Sequence, residues 1–186
     1  VCVTHVHHYD PDGIERVASD DATVVVYEGV DAERAGRPPA PERLPYDVVR
    51  VAEGERTVVR GVEVTAVPAY NDPEGPHVRA SGEPVHPRGF GVGYRFVLDD
   101  TPVFWTGDSD HVSEQNDLDV SLLVPTICGD VAMDEAGAAD LAAELDPDLV
   151  CPIHYNTLDF LRADSRAFAA DVAERGVPVV LDEGWD

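Results

Sequence analysis

The chain has 186 residues, of which 44% are hydrophobic, and 37 acidic against 13 basic residues give it a formal net charge of −24. The length predicts a single domain over residues 1–186, and the hydrophobic fraction excludes wholesale disorder. A charge this negative argues against a nucleic-acid partner, which normally requires a basic face. We also expect no membrane partner, because no apolar run approaches the roughly 20 residues that cross a bilayer.

The kind of charge and the cysteine pattern indicate an environment. All 13 basic residues are arginine, whereas hyperthermophilic proteins are usually enriched in lysine as well as glutamate. A carboxylate-rich surface without lysine suits high intracellular salt, which screens self-repulsion, so we expect a salt-adapted, halophilic protein. Cys2, Cys128 and Cys151 are odd in number and widely spaced in apolar contexts, which predicts buried free thiols and a cytoplasmic location.

The first half of the chain is rich in strand-like segments. In chain order we predict a strand at 1–4, a short helix beginning at Asp10 and Pro11, a buried strand at 22–28, a Pro-rich loop at 36–45, consecutive antiparallel strands over 46–70, and a long loop at 71–89. Asp10 is a typical N-cap residue, and Pro11 suits the first helical position. A loop as long as 71–89 inside a compact domain is usually functional or disordered.

The second half alternates between strands and helices. We predict a hairpin over 90–108 with its turn at Asp99 and Asp100, a strand at 119–125, a helix at 133–146, a strand at 148–154, a helix at 157–176 and a closing strand at 177–181. Leu161, Phe168 and Val172 have the spacing of one helical face. Asp134 and Glu135 are interpreted as helix-capping residues rather than catalytic ones. The pattern predicts an α/β domain with helices packed outside β-sheet.

Polar side chains repeatedly follow apolar, strand-like segments. His5 and His7 share one face of an extended segment, so both imidazoles can reach one ion. Asp108 follows "FWTG", and His154 follows "CPI". Histidines with carboxylates suit zinc, manganese or iron. The ends of different strands therefore predict a metal site.

A single histidine at a strand end is most often capped or solvated. We place His77 and His111 in that class. The argument for a metal site rests instead on four separate strand ends that each deliver a ligand-type residue: "VCVTHVHHYD", "TAVPAYND", "VFWTGDSD" and "VCPIHYN".

The segments "THVHHYD", "VPAYN", "HPRGFGVGY", "FWTGDSD", "LLVP" and "CPIHYNT" occur in the order seen in the metallo-β-lactamase superfamily. Over nearly its whole length the chain resembles that superfamily, in particular its ascorbate-6-phosphate-lactonase-like branch of prokaryotic hydrolases. The resemblance implies an αββα sandwich with metals at one edge. It also implies a metal-bound hydroxide that attacks an ester, lactone, amide or phosphodiester of a small-molecule substrate.

The resemblance also implies roles for individual residues. His5 and His7 match the first two histidines of an H-x-H-x-D-H signature. Asp108 matches the aspartate that bridges two metals, and His154 matches the late histidine of the second metal. Asp108 and His154 are thus the expected catalytic residues, with one or two divalent ions, zinc first and manganese or iron as alternatives.

The chain departs from that family pattern at two points. After His7 the signature breaks: either Asp10 stands where its last histidine should be, or two residues are deleted and His8 takes that place. Asn71 stands where the third histidine of the first metal is usual, and His86 in "VHPRG" is the alternative donor from the loop. His8, Asp10, Asn71 and His86 are therefore the less certain candidate ligands.

Further expectations concern the surroundings of the site. Tyr155, Asn156 and the 71–89 loop would shape the pocket, and Arg88 and Arg95 are the arginines nearest its expected mouth. The family normally has opening strands before the signature. Their absence would mean an N-terminally truncated first sheet with an exposed edge, which favours homo-oligomers.

Two other functional classes remain open at this point. The broken signature and Asn71 fit a catalytically degenerate member of the fold that binds a ligand or partner without turning it over. The acidic surface fits an interaction module that binds a basic partner.

Overall fold

The computed structural model describes residues 1–183, which form nine strands and three α-helices. The strands are β1 (Cys2–Val3), β2 (Thr23–Tyr27), β3 (Asp47–Val51), β4 (Arg56–Val59), β5 (Val62–Ala69), β6 (Gly91–Leu98), β7 (Thr101–Trp105), β8 (Leu122–Val124) and β9 (Leu149–Val150). The helices are α1 (Pro11–Val17), α2 (Glu135–Leu145) and α3 (Ser165–Glu174).

The strands form two sheets. One is parallel, with the order β1-β2-β3, and the other has the order β4-β5-β6-β7-β8-β9. Its strands are antiparallel as far as β7 and parallel from β7 to β9. The predicted run of antiparallel strands over 46–70 is wrong for β3, which pairs in parallel with β2, placing Val25 opposite Val49. A strand pattern identifies a strand but not its partner, so β3 could not be assigned to a sheet from its residues.

Two hydrophobic clusters define the layers. Val26 of β2 and Tyr94 of β6 belong to the cluster between the sheets, into which Ile14 of α1 also packs. On the other face of the larger sheet, Phe104 of β7 packs in a second cluster with Phe168 of α3 and with residues of α2. The α/β sandwich predicted from the sequence is confirmed.

Local sequence signals set several turns and helix ends as predicted. Asp99 and Asp100 have φ angles of +47° and +65°, as the two central residues of a type I′ hairpin turn require. Asp10 holds the predicted N-cap position of α1, which begins at Pro11, but within the described residues its side chain makes no capping hydrogen bond. The Asp134 carboxylate accepts a hydrogen bond from the Gly137 N–H at 2.8 Å, so Asp134 caps α2.

The C-terminal part contains less regular structure than predicted. α3 begins at Ser165, because Asp164 caps it by accepting from the Ala167 N–H at 2.9 Å. Leu161 therefore lies in a loop, where it packs in a small cluster with Cys128 rather than on the helix face with Phe168. Of the strand predicted at 148–154, only β9 (Leu149–Val150) forms. In place of the closing strand predicted at 177–181, a single β-bridge joins Val179 to Val150.

Two features of the structure concern the predicted thiols and the possibility of a membrane-spanning helix. All three cysteines are free thiols; Cys128 is buried, whereas Cys2 and Cys151 are half-buried. The prediction of buried thiols is therefore correct only for Cys128. Within residues 1–183, no helix is both long and apolar enough to cross a membrane.

Candidate metal centre

Several strands end at one edge of the sandwich and deliver polar side chains there. His5 follows β1 and forms a bridge with Gly91 at the start of β6. Asp108 and His154 follow β7 and β9, which run in the same direction. Strand direction therefore brings together side chains that are about 150 positions apart in the sequence, as the sequence pattern predicted.

Asp108 lies between two pairs of histidines. Its Oδ2 is 3.5 Å from Nε2 of His5 and 3.7 Å from Nε2 of His86. Its Oδ1 is 3.7 Å from Nε2 of His8 and 3.8 Å from Nε2 of His154. Within the described residues, Asp108 Oδ1 and His5 Nε2 are buried without any hydrogen-bond partner. Burying such groups unpaired is costly, so the arrangement calls for a cation between them.

The spacing of the nitrogen atoms also suits a cation. Ligand atoms of His5, His7 and His86 lie within 4.8 Å of one another, as do those of His5, His8 and Asp108. Two nitrogen ligands of a tetrahedral zinc ion, each about 2.0–2.1 Å from the metal, are roughly 3.3 Å apart.

We use the name histidine cluster for His5, His7, His8, His86, His154 and Asp108.

Burial controls the protonation of the histidine cluster. It lowers the pKa of His8 and of His86 to about 4, with further lowering by neighbouring histidine charges, and lowers the pKa of His5 still more. It raises the pKa of Asp108 to about 6, against an opposing contribution from His154. At pH 7 these three imidazoles are thus neutral and Asp108 is mainly ionised, which are the states that bind a metal.

Hydrogen bonds on the far side of the rings orient three of the histidines. Thr4 Oγ1 is 3.0 Å from Nδ1 of both His5 and His8. His86 Nδ1 is 2.9 Å from the Val131 carbonyl oxygen, which can only accept, so Nδ1 carries the hydrogen and Nε2 keeps its lone pair for a metal. Thr4 was not among the predicted site residues, although its place directly before His5 in "VCVTH" was a usable signal.

Asn71 supports the histidine cluster and does not face it. Its Oδ1 accepts a hydrogen bond from the His86 backbone N–H at 2.7 Å. Its Nδ2 donates to Asp110 Oδ1 at 3.1 Å and to the Val131 carbonyl at 3.2 Å. Both ends of the amide are used in this way, so His86 occupies the place for which Asn71 was a candidate.

The structure distinguishes between the two alignments of the broken signature. His8 lies in a short 3-10 helix (Val6–His8) with its ring against His5 and His154. Asp10 is exposed at the start of α1 and is not part of the histidine cluster. The geometry thus matches the reading in which two residues are deleted and His8 replaces the last histidine.

Unusual backbone conformations place Asp108 and His154. Gly107 has a φ of +63°, and an added Cβ would lie 2.7 Å from the Val92 carbonyl oxygen, so the residue before Asp108 has to be glycine. His154 adopts the left-handed region with a φ of +64°. A non-glycine residue pays for this conformation in strain, which is common where a side chain must be aimed into a site.

The remaining expected pocket residues divide into two groups. Tyr155 and Asn156 line a cavity of about 550 Å³ next to His154. Arg88, in contrast, is held by Glu53 and by Glu114. Arg95 pairs with Asp119 at 3.3 Å, so neither arginine offers an uncompensated charge to a ligand.

His77 and His111 lie outside the histidine cluster. His77 Nδ1 is 2.5 Å from Asp110 Oδ1, and its Nε2 is 2.9 Å from the Gly129 carbonyl oxygen. His111 Nε2 is 2.7 Å from Asn116 Oδ1. Both histidines therefore have local hydrogen-bond partners.

A family model described as the beta-lactamase superfamily domain matches residues 1–154. The chain belongs to the metallo-β-lactamase superfamily. Two relatives named metal-dependent hydrolases come from Thermoplasma acidophilum (30% identical over 95 residues, 47% of this chain and 42% of that protein) and Listeria monocytogenes (33% over 102 residues, 52% and 44%). The matched part is less than half the length of these curated relatives.

Solved structures share the superfamily fold. A protein from Parabacteroides distasonis classed as a metal-dependent hydrolase has a TM-score of 0.74 at 24% identity, covering 99% of this chain and 76% of that one. A metallo hydrolase from Ignicoccus hospitalis has a TM-score of 0.73 at 20% identity, covering 100% and 76%. The diiron β-hydroxylase CmlA of Streptomyces venezuelae has a TM-score of 0.64 at 15% identity, covering 96% and 42%. Because hydrolases and a hydroxylase share this fold, the fold alone does not set the chemistry.

Proposed function

We propose that the chain is a metal-dependent hydrolase whose histidine cluster binds two divalent cations, one on either side of Asp108. The observation that carries this proposal is the buried Asp108 carboxylate, whose Oδ1 meets no hydrogen-bond donor within residues 1–183 and whose two oxygens are each flanked by a pair of imidazole nitrogens. His5, His7 and His86 would hold one cation with Asp108 Oδ2. His8 and His154 would hold the other with Asp108 Oδ1.

Zinc is the proposed metal, with manganese or iron as alternatives, because five imidazoles and one carboxylate form a nitrogen-rich donor set. When bound, a divalent cation lowers the pKa of coordinated water toward neutrality and polarises the substrate oxygen. The proposed substrates are small molecules with an ester, lactone or phosphodiester bond, in line with the resemblance of the sequence.

The chain's own residues position the reactants. Asp108 Oδ1 meets no N–H or O–H donor within the described residues, so the lone pair that would remain beside a bound cation can accept a hydrogen bond from the attacking water and orient it. Phe90 packs on His7, with ring centroids 5.1 Å apart, and Trp105 stacks on His8 at 6.4 Å. These aromatic rings cover part of the histidine cluster, which partly excludes water and strengthens the electrostatic interactions on that side.

The rival reading of a non-catalytic binding module rested on the broken signature and on Asn71. His8 and His86 supply imidazole nitrogens at those two places, which favours the enzyme.

We also propose the finer assignments of the sequence analysis: the ascorbate-6-phosphate-lactonase-like branch, from the order of the motifs, and a salt-adapted cytoplasmic protein, from the charge of −24 and three free thiols. Unfolding in low and in molar potassium chloride tests the salt adaptation. Greater stability in low salt would contradict it.

The test compares Asp108→Asn, which keeps the shape of the side chain but removes its charge, with His111→Asn outside the histidine cluster. Metal content after reconstitution and hydrolysis of p-nitrophenyl acetate, a γ-lactone and bis(p-nitrophenyl) phosphate are measured for each protein. We expect Asp108→Asn to lose metal and to lower kcat/KM by at least about 100-fold, while His111→Asn behaves as wild type. Full activity in Asp108→Asn, or wild type that takes up less than about a tenth of an equivalent of metal, would refute the proposal.

A further inference from the structure

Two arginines near the histidine cluster differ from most other arginines of the chain. Within residues 1–183, seven of the 13 arginines form ion pairs with Asp or Glu. Arg37 and Arg79 have no carboxylate within ion-pair distance in this part of the chain. Arg37 donates instead to the Tyr9 carbonyl at 3.2 Å, and Arg79 donates to the Val85 carbonyl at 3.1 Å.

These two contacts place both guanidinium groups beside the histidine cluster. Tyr9 directly follows His8, and Val85 directly precedes His86. Arg37 belongs to the loop between β2 and β3, whereas Arg79 belongs to the 71–89 loop. The two positive charges thus reach the histidine cluster from two separate loops.

The packing of the exposed histidine supports this placement. His7 is the exposed member of the histidine cluster, and its ring packs against that of His86 with centroids 5.6 Å apart. Arg37 contacts the chain two residues after His7, and Arg79 contacts it directly before His86. Both arginines therefore approach the histidine cluster near the exposed His7.

Uncompensated positive charge at this place has a chemical consequence. A chain with a net charge of −24 repels anions unless a local positive patch attracts them. Each guanidinium has five N–H donors. One of them donates to the carbonyl oxygen named above, and both side chains are exposed. A planar guanidinium binds carboxylate or phosphate oxygens in pairs, with more geometric specificity than an ammonium group.

We propose that Arg37 and Arg79 bind an anionic group of the substrate, a carboxylate or a phosphate, and hold it beside His7 while the bond to be hydrolysed lies at the histidine cluster. The substrate class is then an anionic ester, lactone or phosphodiester rather than a neutral one. This inference rests on the proposed function, but the anion site itself consists of residues that bind no metal in that proposal. Arg37 and Arg79 are thus the candidate anion-binding pair, rather than Arg88 and Arg95, which were expected near the mouth of the pocket.

The test measures binding by calorimetry rather than turnover, with full-length protein in one fixed concentration of potassium chloride. The probes are phenylphosphonate, phenylacetate and the neutral benzyl alcohol, and each is titrated into metal-loaded and into chelator-treated protein. The variants are Arg37→Gln, Arg79→Gln and their combination. Arg34→Gln, which removes a charge from the same loop as Arg37, is the matched control.

We expect wild type and Arg34→Gln to bind at least one of the two anions and not the alcohol. Each single substitution should weaken anion binding about tenfold, and the pair should weaken it further, in both metal states. Preference for phenylphosphonate or for phenylacetate identifies the group as phosphate or carboxylate. Anion affinity unchanged in the double variant, or no anion binding by wild type, overturns the inference.

Metal content separates this inference from the proposed function. The arginine variants should keep the wild-type metal stoichiometry and thermal unfolding midpoint, which also shows that they are folded. Asp108→Asn should lose metal yet still bind the anion. A wild-type protein that binds the anion but no metal would refute the proposed function and leave the anion site standing.

Discussion

Asn71 holds His86 in place: its Oδ1 accepts the backbone N–H of His86 at 2.7 Å, 15 positions along the chain. The amide nitrogen of Asn71 anchors the pair to Asp110 and to the Val131 carbonyl, which also receives the His86 ring N–H. Asn71, which stands in place of a histidine ligand, thus positions a histidine from the other end of the same loop at the candidate metal centre.

Replacing Asn71 by alanine should weaken the cation position formed by His5, His7 and His86. The substitution frees His86 to move and leaves its buried N–H without an acceptor, so we expect metal affinity there to fall about 10- to 100-fold and stability to fall by about 1–3 kcal/mol. Calorimetric metal titration and urea unfolding measure the two effects. Asn116→Ala, which removes an amide far from His86, is the control, and wild-type affinity in Asn71→Ala would contradict the positioning role.

Thr4 should affect both cation positions, because its hydroxyl oxygen contacts Nδ1 of His5 and of His8. When Nε2 of each ring binds a metal, each Nδ1–H needs an acceptor, and Thr4 Oγ1 is the atom in reach. Thr4→Val keeps the shape and removes the oxygen, so we expect both metal affinities to fall about tenfold or more. Thr4→Ser should restore them. Equal affinities for the valine and serine variants would show that Thr4 acts only through packing.

Acid should destabilise the chelator-treated protein. Burial lowers the pKa of His8 and of His86 to about 4, against about 6.5 in an unfolded chain. From pH 6.5 down to 4 the unfolded state therefore binds more protons, and the free energy of unfolding falls as the pH falls. Asp108, with its pKa raised to about 6, acts in the opposite direction. It is one group, whereas the pKa is lowered for three histidines, His5, His8 and His86.

A histidine variant isolates this effect from the titration of surface carboxylates. In urea unfolding at fixed potassium chloride, His8→Asn should reduce the slope of unfolding free energy against pH between pH 5 and 6 by about 1 kcal/mol per pH unit. His111→Asn should leave the slope unchanged. If wild type and His8→Asn have the same slope, His8 is not a neutral, buried group in the folded protein.

Where local chemistry decides the structure, the sequence predicted it well. The hairpin around Asp99 and Asp100 and the cap at Asp134 were both found, because turn and capping preferences act over a few residues. The start of α3 was predicted eight positions too early (157 instead of Ser165). Leu161 has helical spacing, but Asp164 caps the helix after it, and two signals at such short range cannot be ranked without the tertiary packing.

Some residues of the candidate site could be predicted from the sequence, whereas others depend on tertiary contacts. His5, Asp108 and His154 were predicted from their places after apolar strands, and the structure brings them together. His86 was only an alternative, since its position depends on a hydrogen bond to Asn71, which lies 15 positions earlier at the start of the same 71–89 loop. The ion pairs of Arg88 could not be predicted either, because Glu53 and Glu114 are distant from it in the sequence and approach it only in the folded chain.

Anomalous diffraction from crystals of the metal-reconstituted protein tests the central claim most directly, because it counts the ions and identifies their ligands together. We predict two anomalous peaks on opposite sides of the Asp108 carboxylate, one contacted by His5, His7 and His86 and the other by His8 and His154. No peak at Asp108, or ions bound only elsewhere on the acidic surface, would contradict the account.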